Sequence, residues 1–239
     1  MRLYSDLAHW WPVFSPPIHY VEEAADLLPT LLAASDAPPE TMLELGSGGG
    51  SLAFHFKHRL RLTLSDRSAQ MLEVSRAVNP ECEHVLGDMR TLSLGRLFDL
   101  VFIHDAVMYL TEPASVRAAL ATASRHCRLG GAVVVVPDCV KETYEPTTEM
   151  GGEDGDDGRA LRDLVWTWDP NPDDDIYEEV FAFLLKTPDG EVTVDSDRHV
   201  FGVFPRASWL TWLGEAGFAA SSRMDPWKRD VFVGRKVRE

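Results

Sequence analysis

The stretch Met42-Leu-Glu-Leu-Gly-Ser-Gly-Gly-Gly50 limits the possible folds more than any other part of the chain. Met42, Leu43 and Leu45 read as the end of a buried strand. Four glycines within the next five residues then remove the side chains where the backbone must turn into a helix. Glycine costs conformational entropy in a folded element, so such a cluster marks close approach of the backbone to something. Glu44 interrupts the strand just before the turn, where a plain core strand would carry another apolar residue. A glycine-rich turn after the first strand of an α/β domain is where nucleotide-like cofactors bind.

That motif gains its weight from the regular spacing of the strands beyond it. Leu60-Arg-Leu-Thr-Leu-Ser-Asp66 reads as a second strand ending in an acid, 22 residues after Glu44. Cys82-Glu-His-Val-Leu-Gly-Asp88 reads as a third, with its acid a further 22 residues on. Phe98–His104 and Gly131–Pro137 supply a fourth and a fifth. Apolar runs with little alternation suit parallel strands covered on both faces. Helices are expected over 51–59, 68–77 and 113–127, the last entered through Pro113 and closed by Gly130-Gly131. This order predicts an α/β fold, a doubly wound, mostly parallel Rossmann-like sheet with helices on both faces.

These segments together resemble the class I S-adenosylmethionine-dependent methyltransferases. The family's glycine turn matches Glu44-Leu-Gly-Ser-Gly-Gly-Gly50, and its ribose acid with the adjoining helix matches Asp66-Arg-Ser-Ala-Gln-Met-Leu72. Its adenine segment matches Gly87-Asp88-Met89, its fourth strand Phe98-Asp99-Leu100-Val101, and its closing turn Arg128-Leu-Gly-Gly131. The likeness covers roughly 1–140 and returns at Phe204–Leu210 and Glu215–Phe218. In outline the chain is similar to small-molecule enzymes such as the amino-sugar N-methyltransferases, and closer still to an uncharacterised branch with a Trp-Trp-Pro opening. The resemblance implies S-adenosyl-L-methionine as cofactor.

The expected organisation is a single domain over 1–239. Residues 1–40 are cover helices, 41–139 the cofactor-binding core, 140–203 an acidic antiparallel flap, and 204–239 a C-terminal helix and closing strand. Within the flap, 177–185 and 191–194 read as a hairpin around Thr187-Pro-Asp-Gly190, with 199–204 as a third strand. A helix over 208–215 and a strand over 230–235 complete the chain. The flap should lie over the carboxyl ends of the parallel strands, where such sheets bind ligands.

The net charge is −15, and its distribution is uneven. Residues 149–179 carry twelve acids against Arg159 and Arg162, a net of −10. A nucleic-acid binder must neutralise phosphates with Lys and Arg, so a nucleic-acid partner is not expected. Glu153-Asp-Gly-Asp-Asp-Gly158 superficially suggests calcium, but the alternate ligand position is Gly155 and the sixth residue after the glycine is Leu164. A solvated insertion is expected there, with no metal. Cys82, Cys127 and Cys139 lack paired or metal-type spacing and read as thiols of a reducing cytoplasm. No apolar run of signal-peptide or membrane-span length occurs, and no membrane partner is expected. A homodimer through the flap is a further expectation.

The cofactor's amino-acid end needs backbone groups at close range, which Gly46, Ser47 and Gly48 allow, with Glu44 orienting its ammonium or the turn. Asp66 offers the ribose diol a bidentate acceptor, although it could instead cap the helix at 68–77, as Ser68 could. Asp88 and Met89 suit the adenine amine and ring face, and Arg67 lies over adenine or faces solvent. The resemblance adds Met71 and places Tyr20 near the carboxylate.

His104 and Asp105 end the fourth strand beside the expected methyl position; either could be the base that deprotonates the acceptor, or both could be an ordinary strand-end pair, with His104 packing on the cofactor. His199 is a second base candidate or a structural strand histidine. Tyr4, Trp10, Tyr109 and Trp168 are candidates for contacting the acceptor, since aromatic faces suit a sulfonium or an amine cation; packing is the alternative for each. Two other functions are compatible with parts of this pattern. A non-catalytic S-adenosylmethionine-binding module needs no polar pair such as His104-Asp105. An NAD(P)-dependent oxidoreductase needs a third glycine where Ser51 stands.

Overall fold

The computed structural model describes residues 1–238. Five parallel strands form its centre: β1 (Thr41–Leu45), β2 (Arg61–Asp66), β3 (Glu83–Leu86), β4 (Phe98–Ile103) and β5 (Cys127–Val135). All six residues of β4 are buried, so its apolar run, broken only by Asp99, reflects cover on both faces. Two more strands, β10 (Phe218–Met224) and β11 (Asp230–Lys236), extend the sheet in the order β3-β2-β1-β4-β5-β11-β10. Only β11 runs against the rest, antiparallel to both β5 and β10. The sequence pattern indicates β11 but not β10, whose Ala-Ala-Ser-Ser centre carries little apolar periodicity.

Helices cover both faces. On one, α5 (Pro113–His126) and α6 (Arg206–Glu215) bury Val116, Leu120, Trp209 and Leu213 against Val101, Val133 and Phe232. On the other, α2 (Val21–Ala33) and α3 (Ala53–Phe56) bury Leu27, Leu31 and Phe56 against Met42, Phe102 and Val134. The helix expected over 51–59 shortens to α3, a single turn that suffices to bury Ala53 and Phe56. The helix α4 (Ala69–Val78) succeeds β2, capped by Ser68, whose Oγ accepts from the Met71 N–H at 3.1 Å. Asp99 lies at the opposite end of the sheet from the glycine turn. Its carboxylate accepts from the Glu40 and Thr41 N–H groups at 2.7 and 2.8 Å and so anchors the entry to β1.

The flap is a separate antiparallel sheet of β6 (Thr148–Asp154), β7 (Ala160–Trp168), β8 (Ile176–Lys186) and β9 (Val192–Gly202). It departs from the sequence expectation in two ways. The runs 191–194 and 199–204 belong to one continuous β9, because Asp195–Arg198 pair along β8 without a break. The acidic stretch is not a loop: β6 and β7 run through it, and Asp156 to Gly158 only turn the chain between them. The acids mask a period of two, in which Tyr177, Phe181, Phe183 and Leu185 point inward and the more exposed Val180, Ala182, Leu184 and Lys186 alternate with them.

The N-terminal segment fills the space between the sheets. Two 3-10 turns, Arg2–Tyr4 and Ala8–Trp10, lead into the short α1 (Trp11–Phe14). Leu3, Leu7, Trp10 and Val13 pack against Leu161, Phe181, Phe183 and Leu185 of the flap. No helix among the described residues is long and apolar enough to cross a membrane.

Candidate active site

The carboxyl ends of β1, β2, β4 and β5, the N-terminal segment and β8 and β9 of the flap enclose a cleft of about 780 Å³. Its floor is the glycine turn. Gly46 has φ of +80°, and a Cβ there would lie 2.5 Å from Ala106 Cβ and 2.8 Å from Met89 Cε. A Cβ on Gly49 would lie 2.2 Å from Trp11 Cδ1, so Trp11 packs directly on the turn. Here glycine is demanded by both conformation and space. The Gly46 and Ser47 N–H groups donate to the Ser65 carbonyl at 2.8 and 2.9 Å, locking the turn to β2.

Asp66 closes this end. Its carboxylate accepts from the Gly48 N–H at 2.9 Å and the Ser68 N–H at 2.8 Å. Because Ser68 caps α4, Asp66 is not needed as the cap, and burial pushes its carboxyl above the usual range. Glu44 is only 4% exposed; burial pushes it up to about 8, and Oε2 has no hydrogen-bond partner. Ser47 Oγ is also buried without one. Buried polar groups are normally paired, so these two mark where a polar ligand completes the site. They fit a group that brings its own ammonium and carboxylate. Asp88 lies on the rim, held below the usual carboxylate range by Arg90. Met89, Arg67 and Tyr20 line the same space, with the Tyr20 hydroxyl 2.7 Å from Ser15 Oγ.

The end of β4 carries a dense ionic network. His104 Nε2 lies 2.6 Å from Glu23 Oε1 and Nδ1 lies 3.0 Å from Asp105 Oδ1. Burial alone would lower its pKa, but the two carboxylates reverse that and hold it at about 10. Both ring nitrogens are committed, and an imidazolium has no lone pair with which to take a proton. Burial opposes ionisation of Asp105 as well, yet His104 brings it to about 2. Arg229, from the turn before β11, binds Glu23 and donates to Asp225 at 2.8 Å, and its Nη1 lies 3.8 Å from Asp105.

Beside the glycine turn, where Ala106 abuts Gly46, Asp105 lines the cleft together with Asp138 and Glu179. Burial and the charge of Asp105 push the Asp138 carboxyl well above the usual range. Burial pushes Glu179 up to about 7. Tyr4 and Tyr109 form the wall, their hydroxyls 2.8 Å apart; Tyr109 is also 2.8 Å from His199 Nδ1, whose Nε2 is 2.9 Å from Asp197. Asp197 accepts from the Leu3 N–H at 2.8 Å, so one polar chain ties the flap to the N-terminal segment.

Glu44, Gly46, Ser47, Gly48, Asp66, Arg67, Asp88, Met89, His104 and Asp105, with Tyr4, Tyr20 and Tyr109, thus come together around one space. Four candidates do not reach it. Trp10 is buried between segment and flap beneath Arg159. Trp168 pairs with Trp166 at 4.7 Å under Arg198. Met71 is buried beneath Gly48, and His199 is 2% exposed behind Tyr109. Sequence reasoning missed Asp138, Glu179, Glu23 and Arg229. Asp138 carried a usable signal, as the first polar residue after the apolar β5. The other three come from helix, flap and turn, and only packing assembles them.

Comparison with known proteins agrees with this geometry. Residues 42–131 match a family described as a methyltransferase domain. The chain is 27% identical over 231 residues, 90% of its own length and 84% of the relative's, to a dTDP-3-amino-3,6-dideoxy-alpha-D-glucopyranose N,N-dimethyltransferase from Streptomyces fradiae. Among solved structures, Streptomyces venezuelae DesVI superposes with a TM-score of 0.83 at 25% identity, covering 91% of this chain and 92% of that one. The S-adenosylmethionine-bound amino pentose methyltransferase CalS10 from Micromonospora echinaspora gives 0.76 at 25% identity, covering 89% of each chain. Fold, cleft and matched domain define a class I S-adenosylmethionine-dependent methyltransferase. Within that class the chain resembles the amino-sugar N-methyltransferases.

Proposed function

We propose that the protein methylates an amino group on a small, sugar-sized molecule held between the strand ends and the flap. The observation that carries this reading is the polarity of the cleft. Its lining combines the glycine turn, Glu44 and Asp66 with Asp105, Asp138, Glu179 and two tyrosines. The amino-sugar activities of the relatives point the same way. Bound S-adenosylmethionine supplies an electrophilic methyl group on its sulfonium sulfur.

The chain's own residues do the rest. Gly46, Ser47, Gly48 and Glu44 hold the amino-acid end, Asp66 the ribose, and Asp88 and Met89 the adenine. Tyr4, Tyr109 and Phe181 shape the acceptor end and exclude water, and alignment of this kind is worth about 7–11 kcal/mol in favourable systems. An ammonium has no lone pair, so the acceptor nitrogen must lose a proton to react. Asp105, kept anionic by His104 and Arg229, attracts the ammonium. Glu179, with its carboxyl near neutrality, accepts the proton at a carboxylate oxygen. His104 serves as the charged anchor of Asp105, and His199 positions Tyr109.

The test is incubation with S-adenosylmethionine and a panel of amines, phenols and carboxylates, read by mass spectrometry. Methyl uptake on amines supports the reading; uptake confined to phenols or carboxylates refutes it.

We also infer a homodimer through the outer face of the flap. The strand register puts Met150, Leu164, Trp166, Leu184 and Val194 on one face, where Met150 is 83% and Trp166 53% exposed. Contiguous exposed apolar surface of this kind supports a protein contact. Light scattering of the native protein and of a Trp166→Glu variant checks it: a dimer that the substitution dissociates is expected, and a monomeric native protein rules it out. The acidic flap argues against nucleic-acid acceptors, and three free cysteines suit a reducing compartment.

A further inference from the structure

We propose that the acceptor enters this cleft as a phosphate-free cation, an amino sugar or comparable polyhydroxylated amine not linked to a nucleotide diphosphate. The inference rests on the N-methylation reading above and sets the chain apart from its Streptomyces fradiae relative, whose substrate is a dTDP-sugar.

A diphosphate carries two negative charges and is held by arginines, lysines, a run of free backbone N–H groups or a divalent metal on carboxylates. Among the described residues no cluster of His, Cys, Asp or Glu is placed to hold such a metal. The acceptor end of the cleft offers carboxyl groups instead, Asp105, Asp138 and Glu179, set among Tyr4, Tyr109 and Phe181. The nearest cations are already consumed. His104 is clamped between Glu23 and Asp105, and Arg229 is shared by Glu23 and Asp225.

Among the described residues the lining holds two arginines, Arg67 and Arg90, both on the Asp66 and Asp88 side, and Arg90 is bound to Asp88. The flap above adds a net −10 over 149–179 and makes the approach more negative. The acceptor part of the cleft therefore wants positive charge. An ammonium on an uncharged, hydroxyl-rich body satisfies the acceptor end, with the tyrosine hydroxyls for its polar edge and aromatic faces for its cation.

The experiment compares two forms of one sugar with the full-length protein and S-adenosylmethionine: dTDP-3-amino-3,6-dideoxy-α-D-glucopyranose and the methyl glycoside of 3-amino-3,6-dideoxyglucose. The glycoside should show a kcat/KM at least tenfold higher, with a KM that rises with ionic strength. Asp105→Asn should raise the glycoside KM severalfold and narrow its advantage over the nucleotide sugar, whereas Glu179→Gln, which removes the proton acceptor, should lower kcat on both. Equal rates, or a preference for the nucleotide sugar, overturn this inference while leaving N-methylation standing. Methylation of neither amine by protein that binds S-adenosylmethionine overturns the N-methylation reading, and this inference with it.

Discussion

His104 and Glu23 meet at 2.6 Å although 81 residues separate them, joining the end of β4 to the first turn of α2. Together with Asp105 the contact keeps the histidine protonated, and the imidazolium in turn keeps Asp105 charged. The residue that looks most like a base in the sequence is thereby made a permanent cation.

Replacing His104 with Ala should destabilise the protein by about 1–3 kcal/mol, because the largely buried Glu23 and the half-buried Asp105 lose a charged partner and keep only Arg229. The imidazole's pKa is raised from 6.5 to about 10. Its stabilisation is therefore complete below pH 6.5 and is lost as pH rises through 10. Urea unfolding across that range should show the loss in the native protein and not in the variant. A pH–rate profile in which His104→Gln removes an ionisation between pH 6 and 8 would contradict this account.

Glu44 is raised by burial from 4.5 to about 8. The group therefore favours the fold most below pH 4.5 and progressively less as pH climbs through 8. Glu44→Gln should stabilise the cofactor-free protein at pH 9, on the order of 2–3 kcal/mol, and leave it unchanged at pH 4. The same variant should weaken S-adenosylmethionine binding. Calorimetry in buffers of different ionisation enthalpy should show proton release by the native protein that the variant lacks.

Asp66→Ala should weaken the cofactor by about 2 kcal/mol, the scale of a lost charged hydrogen bond. It also leaves the Gly48 and Ser68 N–H groups without their acceptor, so some stability goes with it. Asp66→Asn keeps one acceptor oxygen and should fall between the two. Unchanged affinity in both variants would mean that another group holds the ribose.

Gly46→Ala and Gly49→Ala test the floor. The first forces a side chain into positive φ against Ala106, and the second drives a methyl into Trp11. Each should cost about 1–3 kcal/mol of stability. The Gly49 variant should be partly rescued by Trp11→Phe, measured as a recovered melting temperature. A double variant no better than the single one would show that Trp11 does not set the spacing.

Local pattern was sufficient for the parallel core. Strands buried on both faces need uninterrupted apolar runs, and the turn beneath a ligand needs glycine, so β1 to β5, Gly46 to Gly50, Asp66 and Asp88 could be read in order from neighbouring residues. The flap was half legible: β8 shows its inward aromatics, whereas β6 and β7 lie under a charge density that resembles a loop. Tertiary structure alone decided which groups share a boundary. Glu23, Arg229 and Glu179 come from a helix, a turn and a second sheet, and their charges act on His104 and Asp105 through distances of a few ångströms that no sequence spacing encodes. Ionisation depends on burial and on those neighbours, so composition could reveal an acidic protein, and only folding could place its carboxyl groups at the acceptor's door.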